Sequence, residues 1–380
     1  MSWDQIIGQG PIKDLLRKGL KSRRVAHAYL FSGPEGAGKY AVALQLARAL
    51  NCTTDPVEGC GSCAGCRKID RLQHPDVRLI FPLPVGKGEK SGDHPIEVLA
   101  SDALEAVREE LARKADDPYH RIAVPRANFI KINSIRDIRR QASLSQVEGG
   151  TKVFIILEAH NMNAESSNAL LKTLEEPPAD TVLILTTSQR DRLLPTILSR
   201  CQVINFPPLR EEEIAAALQE RENVPPDEAA VAARLANGSY LAAREALSAD
   251  TVALRDEVVQ FLRRALGQRR QQLAAEIERL ASELDRPAAE RWLRSMQAWF
   301  RDALLLRNEG SERMGHLPNR DDLASFVAKF PDADLSSAAR IVDEFVALLG
   351  KNVYLTLLFT ALALRLRDCL TSALVPHSHS

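Results

Sequence analysis

A glycine-rich stretch, GPEGAGKY at residues 33–40, places the strongest constraint on what this chain can fold into. The short apolar segment HAYLFSG (27–33) precedes it, and the amphipathic segment YAVALQLARAL (40–50) follows it. Strand, glycine-rich loop and helix in this order are the context of a phosphate-binding loop, in which backbone N–H groups and a lysine cradle phosphates. The residues that would contact a nucleotide are Gly33, Gly36, Gly38 and Lys39.

Two positions that would hold Mg²⁺ beside such a loop lack a suitable oxygen. The residue after Lys39 should be Ser or Thr, whose hydroxyl binds the ion, and it is Tyr40. A later buried strand should end in an Asp, but the candidate strand VFIILEAH has Leu157 there, just before Glu158. The two losses together predict that Mg²⁺ is not bound and that ATP hydrolysis is absent or very weak. They leave three interpretations open: ATP or ADP bound without turnover, a site that is empty in normal operation, and a mere glycine-rich turn.

Alternating strand-like and helix-like segments predict the fold class of the first half of the chain. Near-continuous apolar strands separated by amphipathic helices are typical of an α/β domain with a doubly wound parallel sheet. A helix is expected at 134–144, with Ser134 as its N-cap, and another at 164–176. Residues 85–126 are polar and rich in Pro and Gly, and we interpret them as an insertion with one amphipathic helix. The predicted strands are 27–33, 77–84, 151–157, 181–188 and 202–206.

Pro207 and Pro208 end this α/β pattern, and the rest of the chain is helical in pattern. We therefore predict three domains: an α/β domain at 1–207, a small helical domain at 208–250 and an all-helical domain at 251–380.

Four of the six cysteines lie within a stretch of fifteen residues. Four thiolates at such short spacings can surround a tetrahedral ion, and Zn²⁺ is the expected metal, with an iron–sulfur cluster as the minor alternative. Since four cysteines fill all the positions around the ion, the role of the metal would be structural. Cys201 and Cys369 are expected to be packing residues. The predicted ligands are Cys52, Cys60, Cys63 and Cys66.

Charge and hydropathy indicate which partners and which cellular location the protein can have. Fifty basic residues balance fifty acidic ones, so no overall basic charge indicates nucleic acid as a partner. Arg136, Arg139 and Arg140 cluster on a predicted helix and are weak candidates for DNA contacts, with a solvated helix face as the favoured alternative. The N-terminus lacks the pattern of a signal peptide, and the longest apolar run near the C-terminus, 353–364, is too short to span a bilayer. These features predict a cytoplasmic protein with no membrane partner.

Several stretches taken together resemble bacterial clamp-loader subunits of the AAA+ class, the gamma/tau and delta' subunits of DNA polymerase III. The resemblance covers residues 1–207 closely, 208–250 by pattern and the remainder only by class. It rests on IIGQ (6–9), HAYLFSGPEGAGK (27–39), the four cysteines, NALLKTLEEPP (168–178) and LPTILSRCQ (194–202).

The resemblance implies a function that the loop alone does not. Within the family, loss of both Mg²⁺ ligands together with a retained Ser-Arg-Cys motif, here Ser199 to Cys201, is typical of the delta' type. Arg200 would then act as an arginine finger in the ATP site of a neighbouring gamma/tau subunit, where its planar charge stabilises the transferring phosphoryl group.

The same resemblance implies the remaining roles and partners. Residues 208–250 would be a helical lid and 251–380 a collar that holds a hetero-pentamer with gamma/tau and delta subunits, which loads a sliding clamp onto primer–template DNA. Arg244 is displaced from the usual position of the lid arginine, so we do not assign it that role. The competing hypotheses are a gamma/tau-like active ATPase and a free-standing, zinc-stabilised DNA-binding protein.

Overall fold

A five-stranded parallel sheet forms the centre of the first part of the molecule. The structure, a computed structural model of the full chain, describes residues 2–86, 88–247, 249–309, 320–349 and 353–371. The order across the sheet is β2-β3-β4-β1-β5, and every neighbouring pair is parallel. The predicted α/β class with a parallel sheet is confirmed. The strands are β1 (Ala28–Ser32), β2 (Val77–Ile80), β3 (Lys152–Ile156), β4 (Thr181–Thr187) and β5 (Gln202–Asn205).

Helices cover both faces of this sheet, as expected for a doubly wound fold. The helices in this part of the chain are α1 (Gly10–Lys21), α2 (Lys39–Leu50), α3 (Ala64–Asp70), α4 (Ser101–Asp116), α5 (Ile132–Ala142), α6 (Ala164–Glu175), α7 (Pro195–Leu198) and α8 (Glu211–Glu222). Leu30, Phe154 and Leu183 form one core cluster with residues of α5, α6 and α7. Because side chains alternate along a strand, Val153 and Ile184 face the other way, towards the side where α2 packs against β3 and β4.

Two local predictions are wrong for identifiable reasons. Strand β2 ends at Ile80 and does not reach residue 84, because Pro82 and Pro84 interrupt the segment and a proline has no N–H for the ladder. Helix α5 begins at Ile132 with Lys131 as its N-cap. Ser134 therefore lies inside the first turn and does not cap the helix.

The described chain forms two compact units. One comprises the residues up to Glu222 together with Ala233–Ala243, and the other comprises Asn223–Ala232 and the chain from Arg244 onward. The predicted division at 207 and 250 remains a prediction, because residues 208–250 are distributed between these two units.

Beyond β5, only helices occur in the described part of the chain, as the sequence pattern predicts. An aromatic cluster stabilises the second unit: the rings of Phe261 and Phe359 meet that of Trp292 edge-on, with centroids 5.0 and 5.3 Å away. None of the described helices combines the length and the apolar character needed to cross a membrane. The helices are α9 (Pro226–Leu235), α10 (Tyr240–Ala246), α11 (Ala249–Ala265), α12 (Arg270–Glu283), α13 (Arg286–Glu309), α14 (Arg320–Lys329), α15 (Leu335–Leu349) and α16 (Leu355–Thr371).

Candidate functional site

The glycine-rich loop joins β1 to α2 at the carboxyl edge of the parallel sheet, the edge at which α/β folds bind ligands. Gly36 and Gly38 have positive φ values of 75° and 91°, which side-chain-bearing residues rarely adopt. A Cβ atom on Gly33 would lie 2.3 Å from the carbonyl oxygen of Phe206, so only glycine fits there. Lys39 is the first residue of α2. The structure thus brings the predicted nucleotide contacts together at a helix N-terminus, which favours anions.

The side chain of Lys39 is buried against the loop itself. Its Nζ atom donates hydrogen bonds of 2.8 Å to the carbonyl oxygens of Gly33 and Pro34, and lies 3.8 Å from Glu158 Oε1. Burial lowers the pKa of Lys39, and the nearby carboxylate of Glu158 opposes that shift. The ammonium group is therefore already placed beside the loop where a phosphate would need it.

Glu158 connects the ends of two strands at this edge. The Oε2 atom accepts hydrogen bonds from the hydroxyl and the backbone N–H of Ser188, at 2.8 and 3.1 Å. His160 Nδ1 lies 3.4 Å from the same oxygen, and burial lowers the pKa of that imidazole. No motif in the sequence points to Ser188, because its role depends on how β3 and β4 are paired.

The residues at the two magnesium positions do not fit that ion. Tyr40 is 7% exposed, and its hydroxyl has no hydrogen-bond partner among the described residues. Burial raises the pKa of Tyr40 far above its ordinary value, so the phenol stays neutral. Leu157 follows β3 and is 8% exposed. Since Mg²⁺ requires oxygen ligands, a buried neutral phenol and a leucine leave the loop without its two protein ligands.

The four clustered cysteines fit a tetrahedral metal. Their sulfur atoms all lie within 4.8 Å of one another, and the Sγ atoms of Cys52 and Cys63, like those of Cys60 and Cys66, are 3.9 Å apart. That distance is too long for a disulfide and close to the roughly 3.8 Å expected between thiolates around one Zn²⁺ ion.

Hydrogen bonds at the same cluster favour thiolates. The Sγ atom of Cys52 accepts from the backbone N–H groups of Asp55 and Cys60, each at 3.2 Å. A hydrogen bond from Ser62 is the main cause that lowers the pKa of Cys60 to about 5, whereas burial raises the pKa of Cys66. The cluster could therefore hold a structural zinc ion, which would link the end of α2 to α3.

Arg200 lies just beyond α7 and is not part of the loop cluster. Its guanidinium is about one-third exposed, forms an ion pair of 2.9 Å with Glu175 Oε1, and donates a 3.0 Å hydrogen bond to the carbonyl oxygen of Thr196. Because both members of this ion pair are partly exposed, solvent screens their attraction.

The three arginines considered for DNA contacts are all exposed on α5. Arg136 bonds to Ser91 of the insertion, and Arg140 bonds to Asp137 one turn away. Arg139 lies on the same exposed surface. The geometry is compatible both with phosphate contacts and with a solvated helix face.

The main residue that the sequence interpretation missed is Lys114, which belongs to the insertion. Its Nζ atom lies 4.0 Å from the centroid of the Tyr40 ring. The insertion, for which the sequence indicated no role, therefore packs directly beside the phosphate loop. Residues 74 positions apart in the chain carry no mutual spacing signal, so only the folded structure could reveal this contact.

Comparison with known proteins identifies relatives of the first half of the chain. The model of the family described as DNA polymerase III, delta subunit, matches residues 8–210, just over half of the 380 residues. The delta' subunit of DNA polymerase III from Bacillus subtilis (strain 168) is 32% identical over 238 residues, which are 62% of this chain and 59% of that protein. The tau subunit from the same organism is 30% identical over 217 residues, which are 57% of this chain and 31% of that protein.

One further curated protein and one solved structure are similar to the chain. The tau subunit of Escherichia coli (strain K12) is 31% identical over 215 residues, 56% of this chain and 27% of that protein. A solved structure of a gamma subunit-related protein from Thermotoga maritima aligns with 94% of this chain and 98% of its own, at 15% identity and a TM-score of 0.40. The chain thus spans less than two thirds of the length of these curated relatives.

Proposed function

The chain belongs to the family described as DNA polymerase III, delta subunit, among the clamp-loader subunits of the delta' and gamma/tau kind, and from this premise we propose that it is a delta'-type subunit that does not hydrolyse ATP itself. In this role it completes the ATP site of a neighbouring gamma/tau subunit while the complex loads a sliding clamp onto primed DNA. The proposed complex is a hetero-pentamer that also contains delta.

The observation that supports the delta' type is the residue pair at the magnesium positions. Tyr40 and Leu157 are both buried beside an otherwise well-formed loop, and neither can replace a hydroxyl or carboxylate ligand. Phosphoryl transfer in this class of site depends on the metal to neutralise charge that develops on the phosphate oxygens. A chain that keeps Lys39 but lacks both ligands is expected to bind nucleotide weakly or without turnover.

Arg200 is the residue that we propose acts on the partner. The guanidinium is always charged and forms a planar fork that matches phosphate oxygens. In the isolated chain Glu175 holds it at 2.9 Å through a partly exposed ion pair. Such a pair contributes only about 0–1 kcal/mol, so a phosphate in a neighbouring site can take the place of Glu175 at little cost.

The arrangement of domains follows the same proposal. Residues 1–207 act as the nucleotide-loop domain, 208–250 as the lid, and 251–380 as the collar through which the subunits assemble. The zinc cluster stiffens the region after α2. Arg136, Arg139 and Arg140 are the side chains proposed to contact DNA phosphates; the alternative role of the same three arginines is a solvated helix face.

The similar identity to tau relatives, 30–31%, favours a second candidate, an active ATPase of the gamma/tau type. It predicts hydrolysis by the isolated chain that rises with DNA and clamp. The delta' type predicts none above background in the same assay, so this measurement separates the two candidates.

The experiment that tests the arginine finger compares wild type with Arg200→Ala in a reconstituted gamma-containing complex. Loss of a finger lowers turnover by about 10³-fold or more at the one site that it serves. Total hydrolysis should therefore fall by that site's share, and clamp loading should fall further. Arg294→Ala is the matched control, because Arg294 is exposed on α13 and forms its ion pair with Glu290, one turn away on the same helix. Unchanged hydrolysis and loading in Arg200→Ala would refute the role of Arg200.

A further inference from the structure

The insertion reaches the phosphate loop through one turn, residues 117–121, directly after α4. Arg121 of this turn forms an ion pair with Glu35 of the loop, with 3.2 Å between Nε and Oε1. Tyr119 is 5% exposed and points to the start of α2: a Cβ atom on Gly38 would lie 3.3 Å from Tyr119 Oη. The turn therefore closes one side of the loop, next to the helix N-terminus where phosphates would bind.

The groups around the Tyr119 ring are suited to contact a flat aromatic group. The backbone N–H of Ile7 donates a 2.9 Å hydrogen bond to the phenol oxygen. The ring of Tyr240 meets it edge-on, with centroids 5.1 Å apart and planes at 72°. The guanidinium of Arg221 lies 5.2 Å from the Tyr119 ring centroid. A backbone donor, an aromatic edge and a cation beside one ring are also the contacts that a purine base can make.

Buried side chains of α4 hold the turn in place. Lys114 Nζ donates to the carbonyl oxygens of Pro118 and His120, at 2.8 and 2.6 Å. Glu110 Oε2 accepts from the backbone N–H of Ala123 at 2.7 Å and lies 3.0 Å from His120 Nε2. Tyr119 is thus carried by a turn that several hydrogen bonds anchor to α4.

We infer that Ile7, Gly38, Arg221 and Tyr240 form a base-binding subsite beside the phosphate loop, and that the chain fills this subsite with its own Tyr119. The ribose and base of a nucleotide must lie beside the loop that holds its phosphates. A purine nucleotide can therefore bind only when the turn at 117–121 moves away. The insertion is an internal competitor for the nucleotide site.

Tyr119 competes effectively with a nucleotide because it belongs to the same chain as the subsite. A group held in the same chain by a short connection competes at an effective concentration of about millimolar or more. The apparent affinity for nucleotide is lowered in proportion to the fraction of molecules in which the subsite is open. If Tyr119 occupies the subsite in about 90–99% of molecules, its removal should tighten nucleotide binding by about 10–100-fold.

These contacts also give Tyr40 a role. Lys114, which anchors the turn, lies over the Tyr40 ring at 4.0 Å. The residue that replaces the magnesium ligand therefore supports the anchor of the internal competitor. The contacts around Tyr119 are independent of Arg200 and of the subunit type proposed above.

The test measures binding of a fluorescent ADP analogue to the purified full-length chain. We expect Tyr119→Ala to bind at least about tenfold more tightly than wild type, and Lys114→Met, which removes the anchor of the turn, to bind more tightly as well. Tyr354→Ala is the matched control, since Tyr354 is 84% exposed in the second unit, and it should bind as wild type does. Adding Lys39→Ala to Tyr119→Ala should abolish the gain, because the phosphates would lose their lysine.

Folding of each variant is checked by its thermal unfolding curve. If Tyr119→Ala does not fold, Lys114→Met decides the result. Equal affinity in wild type and in the folded variants, whether strong or undetectable, would overturn the inference. A gain in Tyr119→Ala that persists without Lys39 would also overturn it, because the analogue would then bind away from the phosphate loop.

Discussion

The ammonium group of Lys114 lies 4.0 Å from the centroid of the Tyr40 ring. Tyr40 lies in the first turn of α2, directly after the phosphate loop, and Lys114 lies in the insertion. The contact therefore joins two segments that are far apart in the sequence. Tyr40 uses its ring in this contact, and its hydroxyl has no partner among the described residues. The structural value of Tyr40 therefore resides in the ring.

Because the ring of Tyr40 makes the contact with Lys114 and its hydroxyl does not, two substitutions of Tyr40 should give different results. Tyr40→Phe keeps the ring and removes an unpaired buried hydroxyl, so the free energy of unfolding should stay within about 1 kcal/mol of wild type. Tyr40→Ala leaves a cavity and removes the surface under Lys114, which should lower it by about 3–5 kcal/mol. Urea unfolding of the three proteins measures both values. Equal losses in both variants would show that the hydroxyl, and not the ring, carries the interaction.

The cysteine cluster predicts one tightly held zinc ion per chain. Elemental analysis of protein purified without chelators should find it, and Cys60→Ser should lose most of it, because one of four thiolates is replaced by a weaker ligand. Removal of the metal by a chelator should lower the melting temperature by about 5 °C or more, since structural zinc binding is coupled to folding. Cys369→Ser is the control, because Cys369 lies outside the cluster. Metal-free protein with an unchanged melting temperature would contradict the assignment.

His74 predicts a loss of stability in mild acid. Its Nδ1 atom accepts a 3.1 Å hydrogen bond from the backbone N–H of Asp76, and burial lowers the pKa of the imidazole, outweighing the opposite effect of Glu148. The unfolded chain therefore takes up a proton near the ordinary pKa of about 6.5, at which the folded chain stays neutral. The stability contributed by neutral His74 is complete above that pH and is lost as the pH falls below it.

The variant His74→Asn isolates this effect, because an amide oxygen can accept the same hydrogen bond but does not titrate. Its free energy of unfolding should change less than that of wild type between about pH 7.5 and about pH 5.5. His27→Asn, which alters an exposed histidine, should keep the wild-type dependence. Identical pH profiles for wild type and His74→Asn would show that another group causes the acid sensitivity.

The parts of the site that could be predicted are those whose residues lie close together in the sequence. The loop from Gly33 to Lys39 and the four cysteines each lie within a few turns of chain, so their residue types and spacings determine their geometry. The parallel sheet was predictable for the same reason, because each of its strands is a short, contiguous apolar run. The contacts of Lys114 and Tyr119 could not be predicted, because they join positions 74 and 112 residues apart through tertiary packing. Ser134 was assigned wrongly because a cap depends on where the helix starts, and α5 starts two residues earlier.

The last described helix, α16, carries leucines on two different faces. Leu358 and Leu362 are buried within the second unit, whereas Leu357 and Leu364 are 63% and 53% exposed. The two exposed leucines are seven residues apart, which is two helical turns, so they lie on one face of α16. The proposed collar role assigns this face to contacts with neighbouring subunits.

The buried and exposed faces of α16 should respond differently to substitution. The substitution Leu364→Lys places a charge on the exposed face, so it should weaken assembly with gamma/tau and delta while the isolated chain unfolds within about 0.5 kcal/mol of wild type. Leu362→Ala should instead destabilise the isolated chain, because it leaves a buried cavity. Its free energy of unfolding should fall by about 2–5 kcal/mol. Size-exclusion chromatography of the mixed subunits and urea unfolding of the single chain measure the two effects. If Leu364→Lys assembles as wild type does, the exposed face of α16 is not a subunit contact, and the collar must use another helix.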